Sequence, residues 1–162
     1  VAAMAALVAL TAGHQVALMA PTEILAEQHN RSFADWLAPL GLTPTLLTGS
    51  MKASLKKQHL ADLESGSIRL LIGTHALFQE GVLFERLGLI IIDEQHRFGV
   101  NQRMALRDKG RNSDTTPHQL IMTATPIPRT LTMTLYASMD CSVIDELPPG
   151  RSPVQTSVLA NA

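Results

Sequence analysis

The sequence predicts an α/β domain built on a mostly parallel β-sheet flanked by helices. Three observations lead there. Short apolar runs alternate with longer helix-compatible stretches, which means crossover connections and a mostly parallel sheet. Runs such as Leu89-Ile-Ile-Ile92 are apolar without a break, as strands covered on both faces require. Five of the runs also end in a compact polar cluster, so polarity gathers at one end of the strands.

Taken in order, Val1–Ala12 is rich in Ala, Leu and Met, all strong helix formers, and Gly13 stands where a helix C-terminus favours glycine. Gln15–Ala20 reads as a buried strand stopped by Pro21. A helix over Thr22–Leu37 follows, with Thr22 as N-cap and Leu25, Phe33, Trp36 and Leu37 as its apolar stripe. The unit then repeats: strand Thr43–Leu47 and a polar helix near Met51–Leu63, strand Ile68–Ile72 and a short helix near Ala76, strand Leu87–Ile92 and a helix near Val100–Lys109. Gly110–Pro117 is a polar loop, strand Gln119–Met122 leads to a helix near Arg129–Ala137, and a last strand is expected near Ser142–Asp145.

Composition narrows the function. The chain has 162 residues, 46% of them hydrophobic and 17% charged, which suits one globular domain with a real core. A formal net charge of −1 argues against gripping nucleic acid by bulk positive charge, and 4% aromatics argue against a base-stacking platform. A single cysteine, Cys141, excludes an internal disulfide and any multi-cysteine zinc site. The opening run Val1–Leu10 is shorter than the ~20 apolar residues of a membrane span and lacks the features of a signal peptide. Both ends lie inside apolar runs, so the expectation is a piece of a longer intracellular chain.

The five polar clusters are Pro21-Thr-Glu23, Thr48-Gly-Ser50, Gly73-Thr-His75, Asp93-Glu-Gln-His96 and Thr123-Ala-Thr-Pro126. In a parallel sheet the C-terminal strand ends share one edge, and ligands bind in the crevice there. Each cluster alone could merely cap the next helix. Asp93 and Glu94 go beyond capping, because a carboxylate pair at the rim of a dry core is costly unless a cation balances it. Oxygen donors of this kind suit Mg²⁺ beside nucleotide phosphates, leaving one carboxylate for metal and the other to orient water. A zinc reading of His96 with His75 or His29 lacks ligand spacing. Thr123 and Thr125 could relay a metal site's state by hydrogen bonds, or simply cap. The small donors and amides around Thr22, Thr48 and Thr74 suit phosphate oxygens of a backbone as well as capping roles.

These residues resemble a family. Ala20-Pro-Thr-Glu-Ile-Leu-Ala-Glu-Gln-His29, Thr48-Gly-Ser50, Gly73-Thr-His-Ala-Leu77, Ile91-Ile-Asp-Glu-Gln-His-Arg-Phe-Gly-Val100, Met122-Thr-Ala-Thr-Pro-Ile-Pro-Arg-Thr130 and Val143-Ile-Asp-Glu-Leu-Pro-Pro-Gly-Arg151 together resemble the first RecA-like motor domain of the RecG branch-migrating DNA helicases of superfamily two. The resemblance covers nearly the whole chain. It implies a RecA-like fold of the P-loop NTPase type, with residues 1–150 as motor domain and 151–162 as the start of the connection to a second one. Transcription-repair coupling translocases are close relatives, and Gln95, where they carry glutamate, favours the RecG side.

The resemblance implies ATP and Mg²⁺ as cofactors and branched DNA (stalled forks, Holliday junctions) as partner, in recombination and repair. Asp93 would bind Mg²⁺, Glu94 would activate water, and Gln95 and His96 would sense the γ-phosphate. Thr123 and Thr125 would couple nucleotide state to DNA. Pro21, Thr22, Glu23, Thr48, Gly49, Ser50, Thr74 and His75 would touch the DNA backbone. A second motor domain and a wedge domain of the same parent chain would complete the machine, in a cytoplasmic, nucleoid-associated bacterial protein without a membrane partner. The sequence contains no Gly-x-x-x-x-Gly-Lys-Ser/Thr, which the family places just before the helix starting at Val1. The expectation is therefore a domain truncated at both ends, with half of an ATP site and no activity alone. A non-catalytic binding domain with a degenerate motor fold is the alternative from another class. A phospho-receiver domain would need its acidic pair after the first strand, where Pro21-Thr-Glu23 stands.

Overall fold

In the computed structural model the chain divides into two units, Val1–Thr125 and Pro126–Ala162, and the structure describes residues 1–79, 81–94, 116–124, 140–146 and 150. The first unit contains α1 (Ala2–Thr11), β1 (Gln15–Met19), α2 (Glu23–Leu37), β2 (Thr45–Leu47), α3 (Ala53–Glu64), β3 (Leu70–Gly73), β4 (Leu87–Ile92) and β5 (His118–Ile121), with 3₁₀ turns at Ala38–Leu40 and His75–Phe78. The five strands form one sheet in the order β2-β3-β1-β4-β5, every pair parallel. That is the expected architecture, with β1 at the centre.

Strand alternation sorts the core into two layers. Val16, Leu18 and Ala20 of β1 and its exit, Leu70 and Ile72 of β3 and Leu89 and Ile91 of β4 face α1 and α2, meeting Ala6, Leu10, Ala26, Phe33 and Leu37. Their alternates Ala17, Met19, Leu71, Ile90 and Ile92 face the other way, toward Leu63 of α3, the turn residues Ala76 and Leu77, and Val82 and Phe84. Both faces of the central strands are thus dry, which is why these strands read as unbroken apolar runs.

The helix ends obey local rules. Thr22 caps α2, its hydroxyl accepting from the Leu25 N–H at 3.3 Å. Gly13 takes φ +81° just past α1, a conformation that glycine adopts without steric cost. Trp36 departs from its expected place in the buried stripe of α2. It lies at the flank and is 60% exposed, with its ring 5.8 Å from that of Phe33. The expected strand Ser142–Asp145 does not form: residues 140–146 are exposed and join no ladder among the described residues. The apolar run there is only Val143-Ile144 between Ser142 and Asp145, too little apolar surface to hold a strand without a partner. The helices expected near Val100–Lys109 and Arg129–Ala137, and most of the Gly110–Pro117 loop, lie outside the described residues.

One buried polar side chain supports the N-terminal edge of the sheet. Gln15 is 3% exposed, and its amide donates to the carbonyls of Leu63 (2.8 Å) and Ile68 (2.7 Å) while its Oε1 accepts from the Arg86 N–H (2.9 Å). It ties the end of α3 and the leads into β3 and β4 to the start of β1.

Candidate functional site

The register of the sheet builds the site. Leu47, Gly73, Met19, Ile92 and Ile121 are matched side by side from β2 across to β5. The ladder runs on past the strand ends: the Ala20 N–H donates to the Gly73 carbonyl, the Asp93 N–H to the Met19 carbonyl and the Met122 N–H to the Ile92 carbonyl, each at 2.9 Å. The next positions along this edge are therefore Thr48, Thr74, Ala20, Asp93 and Met122, followed by Gly49, His75, Pro21, Glu94 and Thr123. All five clusters reach one edge because parallel strands deliver their C-terminal ends to the same side.

Asp93 stands near the middle of this row. Its Oδ1 accepts from the Glu94 N–H (3.0 Å), and its Oδ2 lies 2.7 Å from His29 Nε2 of α2. Both side chains are about three-quarters covered, at 21% and 26% exposure. Glu94 adopts φ +50°, the one non-glycine residue with positive φ among those described. For a residue with a Cβ this left-handed conformation is sparsely populated, and such strain concentrates at functional sites. The chain bends there, at the carboxylate pair, as it leaves β4.

The Pro21–Glu23 and Thr48–Ser50 clusters are joined by Glu23. Its Oε1 accepts from the N–H groups of Gly49 (2.9 Å) and Ser50 (3.2 Å), and its Oε2 from the Ser50 hydroxyl (2.8 Å). The Ser50 and Thr48 hydroxyls lie 3.2 Å apart. The Ser50 side chain first, then the Ser50 and Gly49 amides and the nearby His75, hold the Glu23 carboxyl below its ordinary value, with partial burial opposing them. The turn amides that sequence reasoning offered to phosphate are thus occupied by an internal carboxylate. Thr74 is buried, at 1% exposure, and its hydroxyl has no hydrogen-bond partner among the described residues. Thr48 is also buried. The surface of these clusters consists of Thr22, Gly49, Ser50 and His75, with Pro21 and Glu23 half-buried. Thr123 is exposed two residues beyond the end of β5, the strand paired with β4. Gln95, His96 and Thr125 lie outside the described residues.

Sequence reasoning missed His29, which it weighed only as a zinc ligand. Nothing local marks its role, because its partner is 64 residues away. It also passed over Gln15, whose three partners come from three separate segments.

The donors at Asp93 and Glu94 are carboxylate oxygens, and among the described residues no three His, Cys, Asp or Glu side chains gather into a metal cage. That chemistry fits Mg²⁺, which binds through one or two carboxylates with substrate phosphates and water filling the rest of its shell. It does not resemble the closed nitrogen and sulfur set of a structural zinc. No described helix is long and apolar enough to cross a membrane.

Comparison with known proteins agrees with the geometry. The chain is 58% identical over 160 residues to the ATP-dependent DNA helicase RecG of Haemophilus influenzae, covering 99% of this chain and 23% of that protein. It is 60% identical over 156 residues to RecG of Escherichia coli K12, covering 96% and 22%. It therefore spans under a quarter of the length of these relatives. Among solved structures, RecG bound to a three-way DNA junction superposes with a TM-score of 0.78 at 44% identity, over 95% of this chain and 20% of that one. The Mycobacterium smegmatis helicase Lhr, at 20% identity and a TM-score of 0.58 over 70% of this chain and 15% of that one, shares the fold. The model of the DEAD/DEAH box helicases matches residues 1–134, and with five parallel strands presenting an acidic pair at their shared edge, the chain belongs to the DEAD/DEAH box helicase family.

Proposed function

We propose that the chain is part of the first RecA-like motor domain of a RecG-type ATP-dependent DNA helicase, a bacterial cytoplasmic protein that couples ATP hydrolysis to remodelling of branched DNA. The row of strand ends carries this reading, because it sets Asp93 and Glu94 between Pro21 and Thr123 on one edge of a chain 58% identical to RecG. A second motor domain and a wedge domain of the same parent chain would complete the nucleotide site and meet the fork.

Asp93 would hold Mg²⁺, which when bound to ATP neutralises phosphate charge. Glu94, the next residue on its left-handed backbone, would orient the attacking water. Gln95 and His96 would follow the γ-phosphate, and Thr123 and Thr125 would pass its state toward DNA. Thr22, Ser50 and His75 carry the exposed side chains from which backbone contact would come, the Gly49 and Ser50 amides being taken by Glu23. Glu23 would act from beneath, fixing the Gly49–Ser50 turn. Contacts of this type position a protein on DNA without reading bases.

Two substitutions in the full-length protein test the assignment. Glu94→Gln keeps size and shape while removing the carboxylate, so ATP and Mg²⁺ still bind while turnover falls by ~10²–10⁴. Asp93→Asn removes charge from the metal position, so the Mg²⁺ needed for half-maximal nucleotide affinity rises. Nucleotide affinity and turnover, each titrated against Mg²⁺, separate the two. If Glu94→Gln chiefly weakens Mg²⁺ and Asp93→Asn chiefly slows the saturated step, the roles are reversed. If neither slows hydrolysis, the acidic pair is not the ATPase site.

A further inference from the structure

Asp93 is held from two directions of different origin. The bond from the Glu94 N–H to Oδ1 is local, one residue along the chain, and leaves the carboxylate free to swing about it. The contact of Oδ2 with His29 Nε2 at 2.7 Å comes from a separate element and fixes the second oxygen. A carboxylate has no hydrogen to give, so the ring nitrogen donates. Each carboxylate oxygen offers two lone-pair positions, so these two bonds orient the group and still leave acceptor sites facing outward. The pair is largely covered from water, unlike the solvated Arg31–Glu27 pair on the same helix, which is 79% and 52% exposed at 3.8 Å.

We infer that His29 is a positioning residue for Asp93: its Nε2–H fixes the rotamer and plane of the carboxylate so that the outward lone pairs are preset for Mg²⁺. The inference rests on the reading of Asp93 as the Mg²⁺ carboxylate. Metal-binding carboxylates are commonly oriented by such outer partners, and loss of one typically costs ~10–100-fold in metal affinity. The same helix explains why the position matters to a motor. α2 begins at the Thr22 cap and Glu23, which grips the Gly49–Ser50 turn, and carries His29 about two turns further on. One rigid element thus touches both the proposed DNA edge and the proposed metal carboxylate.

The test uses the full-length protein and the equilibrium affinity of a fluorescent non-hydrolysable ATP analogue, titrated with Mg²⁺ and repeated with metal chelated. His29→Gln offers an amide donor at a reach close to that of Nε2, while His29→Leu fills similar space without a donor. The leucine variant is expected to raise the Mg²⁺ midpoint ~10-fold or more, with metal-free nucleotide affinity unchanged, and the glutamine variant to stay near wild type. In an Asp93→Asn background His29→Leu should add nothing further, since it acts through Asp93. If His29→Leu leaves the midpoint unmoved while Asp93→Asn shifts it, or if the glutamine and leucine variants shift it equally, His29 only holds α2 to the sheet and the inference is wrong. If Asp93→Asn itself leaves the midpoint unmoved, it is the metal reading of Asp93 that fails. Should the leucine variant not fold, His29→Asn, whose amide is too short to reach Oδ2, takes its place with the same outcomes.

Discussion

Gly73 is the position where a single methyl group should separate the two halves of the site. It closes β3 opposite Leu47 of β2. A Cβ there would stand 2.3 Å from the Leu47 carbonyl oxygen and 3.2 Å from Leu77 Cδ2. The Leu77 side chain can turn aside, but the carbonyl belongs to the backbone of a paired strand and cannot. Cβ atoms essentially never approach other atoms within 3.0 Å, so β2 and β3 must part by about 1 Å, a fifth of the ~4.8 Å strand spacing. Overpacking of this kind costs about 1–3 kcal/mol. The displaced pair leads straight into Thr48 and Thr74, whereas Asp93 lies on the far side of β1. Gly73→Ala in the full-length protein should therefore lower the thermal midpoint and weaken binding to forked DNA. Mg²⁺-dependent affinity for an ATP analogue should stay within about twofold, since distant sites act independently. Gly49→Ala serves as control for the thermal midpoint, because its Cβ would meet only Glu23 Oε1 at an ordinary 3.6 Å. Fluorescence anisotropy with a labelled fork and differential scanning fluorimetry give the two readouts. An unchanged midpoint and DNA affinity would refute the steric argument, and a loss of nucleotide affinity as large as that for DNA would refute the division of the edge.

Two more outcomes follow from buried polar groups. Thr74→Val replaces a buried, unpartnered hydroxyl with a methyl of the same shape, so stability and DNA affinity should hold or rise slightly, while His75→Ala on the exposed neighbour should weaken fork binding by ~2–10-fold across all sequences; a larger loss from the valine variant in anisotropy would show that the hydroxyl works at the surface. Gln15→Leu strands the Arg86 N–H and the Ile68 carbonyl while the Leu63 carbonyl keeps the Gly66 N–H at 3.1 Å, so urea unfolding should show a loss of ~2–4 kcal/mol, and a shift under ~0.5 kcal/mol would mean the amide is dispensable.

The architecture was legible because its signals are local. Uninterrupted runs such as Leu89–Ile92, the Thr22 cap and Gly13 past α1 each depend on neighbours in sequence, and each acted as expected. Strand edges moved by a residue or two, as at Ile68, which lies outside β3 yet is buried beneath it. Trp36 left its expected stripe because a period places it only near the apolar face, and packing of Phe33 and Leu37 decides which residue covers which. Val143 and Ile144 show the limit of apolar runs: a run of two with no ladder partner among the described residues makes no strand, whatever its β-propensity.

By itself the sequence determined the alternation of helix and strand, a mostly parallel sheet, and hence that Asp93, Glu94 and Thr123 would share an edge with Pro21, Gly49 and His75. Those conclusions need only period, punctuation and the rule that crossovers make parallel strands. The tertiary structure alone decided the strand order β2-β3-β1-β4-β5, the burial of Thr48 and Thr74, the left-handed turn at Glu94 and the partners of Glu23, Gln15 and His29. The reason is physical. A hydrogen bond between side chains 64 residues apart depends on how two packed layers seat a helix against a sheet to within a fraction of an ångström, and no pattern within either segment records that fit.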